Sequence, residues 1–261
     1  MLLLKALILG IVEGATEFLP ISSTGHLIIA SELIDYPAAS RPTFEIFIQL
    51  GAILAVFWHY RAPLLDLARR APSDAKAGSF VFKVLLAFLP AAVVGFLFHN
   101  WIEENLFSVR SVAGALVIGG IVILLIERFR PQPAVQTMEE MSWRDALWVG
   151  IAQVTALYPG VSRAGATIMG GMLAGLGRPA ATQFSFYLAL PTISAASLFS
   201  ILKSLSDLTV ADIAPLTVGF IAAFVSALVV IRRFIRYVQT HDFRVFGYYR
   251  IVFGLLLLWT M

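Results

Sequence analysis

A chain of 261 residues that is 59% hydrophobic and only 13% charged is not an ordinary soluble domain, in which about a quarter of residues carry charge. Its 20 Phe, five Trp and seven Tyr suit lipid-facing and interfacial positions, so it reads as an all-α polytopic membrane protein with one membrane domain over residues 1–261. The net charge of +3 comes without a basic stripe interleaved with aromatics, which argues against nucleic acid as a partner. The lack of cysteine excludes disulfides and thiolate chemistry and leaves oxygen or His to hold any metal.

The first run, from Met1, has neither a basic region ahead of it nor a cleavage pattern before Glu13, and is kept in the mature fold. It reaches Leu19, is broken at Pro20, and resumes from Leu27 to Tyr36. That second arm of about 10 residues makes only about 15 Å of helix, half the hydrocarbon thickness, so the region is predicted to be a re-entrant helical hairpin. Three crossing helices are expected next, at about Phe44 to Tyr60, Phe80 to His99 and Ser111 to Ile126. A second hairpin follows, with arms Ala146 to Tyr158 and Ala166 to Leu176 around Pro159. Three further crossings are expected at Phe184 to Leu202, Asp212 to Ile231 and Phe246 to Met261.

A shift of 140 residues pairs Gly10 with Gly150, Ser22 with Ser162, Gly25 with Gly165 and Phe44 with Phe184 without a gap. The chain is therefore expected to hold an internal repeat, residues 1–140 and 141–261, each half one hairpin plus three spans. Because three is odd, the halves enter the membrane with inverted topology, and their interruptions meet near the midplane. The basic loops carry Arg61, Arg69, Arg70 and Lys76, then Arg128, Arg130 and Arg144, then Arg232, Arg233, Arg236 and Arg244. These loops are expected in the cytoplasm, which puts both termini outside and lets the first hairpin enter from the outer leaflet.

Both interruptions are polar: Glu13-Gly-Ala-Thr-Glu17-Phe-Leu-Pro20-Ile-Ser22-Ser23-Thr24-Gly25-His26 and Pro159-Gly160-Val-Ser162-Arg163-Ala-Gly165-Ala-Thr167. Charge in lipid is costly and marks function by default. Glu13 and Glu17 share a helix face and suit a divalent cation or a shared proton; the plainer reading is a pair of solvated interfacial acids. Ser22, Ser23 and Thr24 precede a half-helix whose free N–H groups suit a phosphate, although capping alone explains one or two of them. His26 lies in that first turn, where it can donate to a phosphate oxygen or protonate a leaving group. Arg163 offers a guanidinium fork that matches phosphate oxygens, against a plainer reading as a snorkelling anchor. Gly160 and Gly165 allow close backbone approach, Ser162 and Thr167 bind phosphate or cap, and Glu45 with Gln49 is placed in the pocket wall. Composition and spacing thus describe a membrane-embedded handler of an anionic, phosphorylated substrate.

These motifs, with Phe44-Glu-Ile-Phe-Ile-Gln-Leu-Gly-Ala-Ile-Leu and Trp143-Arg-Asp-Ala-Leu, resemble the bacterial undecaprenyl pyrophosphate phosphatase family linked to bacitracin resistance, over essentially the whole chain. Ala164 departs from the family, which commonly has a second Ser there. The resemblance implies hydrolysis of undecaprenyl diphosphate to the monophosphate on the outer face of the inner membrane, recycling the cell-wall lipid carrier with a divalent cation, Mg²⁺ or Ca²⁺. The roles expected are Glu17, Ser23, His26 and Arg163 in catalysis, and Glu13 with Glu17 at the metal. Ser22, Thr24, Gly25, Gly160, Ser162, Gly165, Thr167, Glu45 and Gln49 are expected to bind substrate. Ser23 as nucleophile and metal-bound water both remain open, as does the split of acid and base between Glu17 and His26. The partners expected are the polyprenyl diphosphate, membrane lipids and a second copy in a homodimer. A flippase or ion-coupled transporter of a phosphorylated lipid is the alternative, since it needs the same Arg and hydroxyls.

Overall fold

The computed structural model describes residues 1–106, 108–130, 132–204 and 209–260, which leaves Met261, the expected end of the last span, outside them. Eleven α-helices occur among these residues: α1 Leu2–Thr16, α2 Ser23–Leu33, α3 Arg41–His59, α4 Arg61–Arg70, α5 Ala75–Leu106, α6 Val109–Phe129, α7 Trp143–Val154, α8 Arg163–Leu173, α9 Arg178–Ser204, α10 Ile213–Thr240 and α11 Arg244–Thr260. β pairing among them is confined to one isolated bridge, Val135 with Leu176.

Five helical stretches are long and apolar enough to cross a membrane: Arg41–His59, Ala75–Ile102, Val109–Phe129, Arg178–Leu202 and Val210–Thr240. They overlap five of the six expected spans. The sixth falls on α11, whose 17 residues make about 26 Å of helix. The expected arms at the two interruptions are α1 with α2 and α7 with α8. Both second arms begin about three residues earlier than the apolar letters suggest, because a serine at the boundary caps them. The loop expected after the first span instead contains α4, which buries no side chain and carries the Arg70–Asp66 ion pair on its surface. Its pattern of charge at four-residue spacing was passed over because it lies in a basic connection.

The two interruptions share one backbone at the 140-residue register. Ser22 (φ 69, ψ 101) and Ser162 (φ 76, ψ 117) each sit in a positive-φ conformation that side chains seldom adopt. Each hydroxyl accepts a hydrogen bond from a backbone N–H three residues on, Gly25 at 3.5 Å and Gly165 at 3.1 Å, as N-caps do. The helices they start are both 11 residues long. They also end alike: Asp35 (φ 51) and Gly175 (φ 94) are both in positive φ. The next N–H in each case reaches back five residues, Tyr36 to Ser31 at 2.8 Å and Leu176 to Gly171 at 3.0 Å, which is the Schellman closure.

Helices in lipid gain little from apolar burial alone and approach through small residues. At α1 against α10 the approach is so close that a Cβ on Gly14 would lie 2.2 Å from both the Ala223 carbonyl oxygen and the Ser226 hydroxyl. Elements α6 and α11 pair in the same manner, α7 lies on α5, and α3 crosses α9 at the centre. At the end of the bundle that carries α4, buried Glu127 accepts from Arg178 Nε at 2.9 Å and from the Phe243 N–H at 2.9 Å, tying α6, α9 and the start of α11 together.

Gly14→Ala is expected to lower the melting temperature in detergent, since forcing a methyl group between packed backbones costs about 1–3 kcal/mol. Gly114→Ala, where an added Cβ meets nothing within 4 Å, is expected to leave it unchanged or raise it by the equivalent of about 0.5–1 kcal/mol. The two melting curves give the comparison directly.

Candidate active site

The two interruptions touch. Ser162 Oγ donates to the Leu19 carbonyl at 3.4 Å, and the polar side chains on either side of that contact converge on one carboxylate. Glu17, the C-cap of α1, is 7% exposed. Its Oε2 accepts from Ser23 Oγ at 2.6 Å, and its Oε1 accepts from Arg163 Nη2 at 3.1 Å. Each donor is the first residue of its half-helix, and the two occupy equivalent positions in the 140-residue register. The caps that start α2 and α8 therefore also aim the hydroxyl and the guanidinium.

Arg163 is held on its other side by α9. Its Nη1 donates to the Ser185 carbonyl at 3.2 Å and to Ser185 Oγ at 3.4 Å, and its guanidinium lies 5.7 Å from the centre of the Phe18 ring. Thr167 Oγ1 is 2.6 Å from Ser185 Oγ and donates to the Arg163 carbonyl at 2.9 Å. One donor, Arg163 Nε, is buried with no partner among the described residues, and Glu13 Oε1 is a buried acceptor in the same condition. Buried polar atoms are nearly always paired, so an orphaned donor and an orphaned acceptor beside one ion pair mark where a ligand's polar atoms belong.

Glu13 is one helical turn before Glu17, on the same face, and is 1% exposed. The charges that act on it are Glu17, Glu45 and Arg163, so Glu45 of α3 does face the cluster. Gln49 is engaged with α9, its Oε1 accepting from Ser197 Oγ at 3.3 Å. Thr24 is half-buried, and Gly25 is buried against Leu116 and Val112 of α6. His26 is turned to α11. Its Nδ1 is 2.7 Å from the Ser22 carbonyl, its Nε2 is 2.6 Å from the Tyr249 hydroxyl, and its ring stacks on Phe253 at 4.5 Å. A carbonyl only accepts, so Nδ1 carries the proton and Nε2 receives the tyrosine's. His26 thus braces the Ser22 carbonyl, while Glu17 is the group in contact with Ser23.

Three side chains outside the expected set complete the arrangement: Ser185, Tyr249 and Arg250. Gln153 is buried apart from these contacts, its Oε1 accepting from Thr192 Oγ1 of α9 at 3.3 Å. Arg250 of α11 is 1% exposed and has no acidic partner among the described residues. Its guanidinium donates to five carbonyls: Pro20 at 3.1 Å, Gly160 at 2.9 Å, Val161 at 2.8 Å, Leu116 at 3.3 Å and Ala115 at 3.1 Å. Both interruptions are therefore tied to one cation. Gly160 can turn its carbonyl to Arg250 because it adopts φ 94 against Val112, where an added Cβ would meet the Val112 oxygen at 2.6 Å. A cation inside the expected Phe246–Met261 span was the sequence signal for Arg250. Ser185 was findable through the register, in which it stands opposite Glu45.

A divalent cation fits part of this cluster. Glu13 has a free buried oxygen, and Glu17 and Glu45 are its acidic neighbours. Among the described residues no group of three or more His, Cys, Asp or Glu side chains is placed to hold a metal ion, so these carboxylates do not make a metal site by themselves. A cation there would take its remaining ligands from substrate phosphates and water, as Mg²⁺ commonly does.

Comparison with known proteins agrees across the whole length. The sequence model of the family described as "Bacitracin resistance protein BacA" matches residues 6–256. The chain is 52% identical to the "Undecaprenyl-diphosphatase" of Dechloromonas aromatica, covering 99% of this chain and 94% of that protein. It is 53% identical to "Undecaprenyl-diphosphatase 2" of Rhodospirillum rubrum, covering 99% and 95%. With the corresponding protein of Nitrosomonas europaea the identity is 51%, covering 100% and 95%.

Arg250→Met leaves three interruption-loop carbonyls without a donor, at about 1–3 kcal/mol for each buried group that finds no other partner. The variant is expected to melt below Gly14→Ala in detergent, and limited proteolysis is expected to cut first within residues 18–22 or 158–162.

Proposed function

The chain belongs to the bacitracin resistance protein BacA family and hydrolyses undecaprenyl diphosphate to undecaprenyl phosphate and inorganic phosphate, recycling the lipid carrier of cell-wall synthesis; we propose that Ser23, Glu17 and Arg163 carry out this reaction. The observation that carries the assignment is the contact of Ser23 Oγ with Glu17 Oε2 at 2.6 Å, in a carboxylate whose other oxygen is held by Arg163. A hydroxyl is a poor nucleophile until a base within hydrogen-bond reach accepts its proton, and Glu17 is that base.

In the first step Ser23 Oγ attacks the terminal phosphorus as its proton passes to Glu17. The P–O bond to the bridging oxygen breaks, undecaprenyl phosphate leaves carrying the proton from Glu17, and a phosphoserine remains. In the second step water attacks that phosphorus with Glu17 taking its proton, the bond from phosphorus to Ser23 Oγ breaks, and Glu17 returns the proton to Oγ as inorganic phosphate leaves. Charge stabilisation and positioning supply most of the rate in phosphoryl transfer. Arg163 Nε, the unpaired donor, and the N–H groups at the start of α2 and α8 are the phosphate contacts. Glu13 and Glu17 would hold a divalent cation with ligands from the substrate phosphates and water, and it would supply positive charge to offset the negative charge of the diphosphate. Ser22, Gly160 and Ser162 shape the interruptions, Thr24, Gly25 and Gly165 lie in the first turns of α2 and α8 beside them, and Thr167 stands one turn into α8. His26 and Tyr249 hold the Ser22 carbonyl, which sets the position of the neighbouring nucleophile; protonation of the leaving group by His26 would require it to leave Tyr249.

The same reading includes inverted-topology halves, each with a re-entrant hairpin. It is supported by the shared backbone of the two interruptions and by the three crossing helices α3, α5 and α6 that separate them. The basic loops, all on the side of α4, favour that side as cytoplasmic, and the pocket then opens to the periplasm.

Ser23→Ala is expected to abolish phosphate release from undecaprenyl diphosphate by the purified protein in detergent, and Ser22→Ala, at the cap, to cost far less. Arg163→Lys keeps the charge but loses the fork, and turnover is expected to fall about tenfold to a thousandfold. Substantial turnover in Ser23→Ala would transfer the attack to water. Chelation by EDTA is expected to stop the reaction and Mg²⁺ or Ca²⁺ to restore it. In Glu13→Gln the cation concentration for half-maximal rate is expected to rise about tenfold or more, one lost carboxylate ligand being worth at least about 1.4 kcal/mol; an unchanged cation titration would remove Glu13 from the metal site.

A further inference from the structure

The first residue of α3, Arg41, is half-buried, and its Nε is a buried donor without a partner. No hydrogen bond or ion pair engages the rest of its guanidinium among the described residues. The guanidinium groups at the reaction centre are engaged: Arg163 with Glu17 and Ser185, and Arg250 with backbone carbonyls. Lys5, near the start of α1, is likewise bonded to the Asp35 carbonyl.

Helix packing places Arg41 relative to the site. A Cβ on Gly219 of α10 would meet the Phe44 ring at 2.6 Å and Ile48 at 2.8 Å, and one on Gly10 of α1 would meet the Gly219 carbonyl oxygen at 2.3 Å. Residues 44–48 of α3 therefore stand level with Gly10, while Glu13 lies about one turn further along α1 and Glu17 about two. Arg41 lies one turn the other way, on the face of α3 that carries Glu45. It is the charge that acts on Glu45, and Glu45 in turn acts on Glu13. From the end of the bundle opposite α4, the charges are thus met in the order Arg41, Glu45, Glu13, and then Glu17 with Arg163. The shared scaffold has no need of a cation at this position. In the 140-residue register Arg41 stands opposite Ala181, which is 1% exposed and lies against Gly171 of α8.

We infer that Arg41 is a second phosphate-binding position, beyond Glu45 from Arg163, which receives the diphosphate head before reaction and holds inorganic phosphate as it leaves. The inference rests on the reading that Ser23 and Arg163 hold the reacting phosphate. Three carboxylates, Glu13, Glu17 and Glu45, repel an arriving diphosphate, and the cation standing beyond them meets it first. The same carboxylates repel inorganic phosphate once its bond to Ser23 has broken, and Arg41 is the next cation along α3. An unbonded guanidinium fork matches phosphate oxygens through charge-assisted hydrogen bonds.

The experiment follows initial rates of undecaprenyl phosphate formation by the purified parent, Arg41→Gln and Arg41→Lys in detergent, with inorganic phosphate added as inhibitor. In Arg41→Gln the Ki for phosphate and the KM for undecaprenyl diphosphate are each expected to rise about tenfold, as loss of one charge-assisted contact allows, with kcat changed less than KM. Arg41→Lys keeps the charge and is expected to recover part of both. An unchanged Ki in Arg41→Gln overturns the inference, as does the absence of phosphate inhibition in the parent. Equal losses in the Gln and Lys variants overturn it too, since they would report a displaced α3 and not a lost charge. So does inhibition by phosphatidylglycerol, relative to phosphatidylcholine, that Arg41→Gln abolishes while phosphate inhibition stays as in the parent; the residue would then bind phospholipid headgroups. Failure of the underlying reading is separate: it appears as product formation that survives Ser23→Ala, and it leaves the comparison of Ki values standing.

Discussion

Everything at the centre of this molecule depends on a carboxylate and a guanidinium that leave water together. Glu17 and Arg163 come from interruptions 146 residues apart and meet at 3.1 Å. Either charge alone in an apolar interior would cost several kcal/mol, so the position of one dictates the position of the other. The pair also leaves capacity unused. Glu17 has a second oxygen for Ser23, and Arg163 has an Nε with no partner among the described residues. A fully satisfied ion pair would be structural and inert; this one holds its geometry and still has bonds to offer.

Arg250 solves the complementary problem. Two interruptions within apolar sequence leave backbone carbonyls without helical partners, where lipid offers no water to bind them. Three of their carbonyls, with two from α6, turn to one guanidinium, which satisfies them at a single point and fixes the spacing of the loops. Because the cation has no acid beside it among the described residues, its compensation there comes from peptide dipoles. The loops and Arg250 therefore stand or fall together, and Ser23 and Arg163 a few positions away inherit that rigidity.

The sequence made the motifs legible because charge and hydroxyls are rare in apolar runs, and it made the helices legible because lipid permits little else. Ser23, Glu17 and Arg163 were all visible as residues, yet their mutual contact was not, since nothing in spacing says which carboxylate a distant guanidinium meets. The helix starts at Ser23 and Arg163 were blurred by reading apolar letters, where the capping serine decides. Element α4 escaped because its polar face looks like loop. Ser185 and Tyr249 escaped for a different reason: a hydroxyl on a long apolar helix carries no mark until its partner is known. His26 stood out as unusual beside the hydroxyl cluster, although its neighbours on α11 could not be read from a run of aromatics that equally suits the lipid interface.

The serine and the arginine that start α2 and α8 occupy the same place in two segments with the same backbone, and their difference has a consequence for how such a protein can be built. Two identical half-chains associating across a twofold axis would bring together two nucleophiles and no guanidinium, or two guanidinium groups that repel and nothing to attack with. The same holds for Glu45 and Ser185, and for His26 and Ala166. If Ser23, Glu17 and Arg163 act together as proposed, the two halves must therefore differ in sequence, a condition that one polypeptide can meet and a symmetric assembly of identical halves cannot.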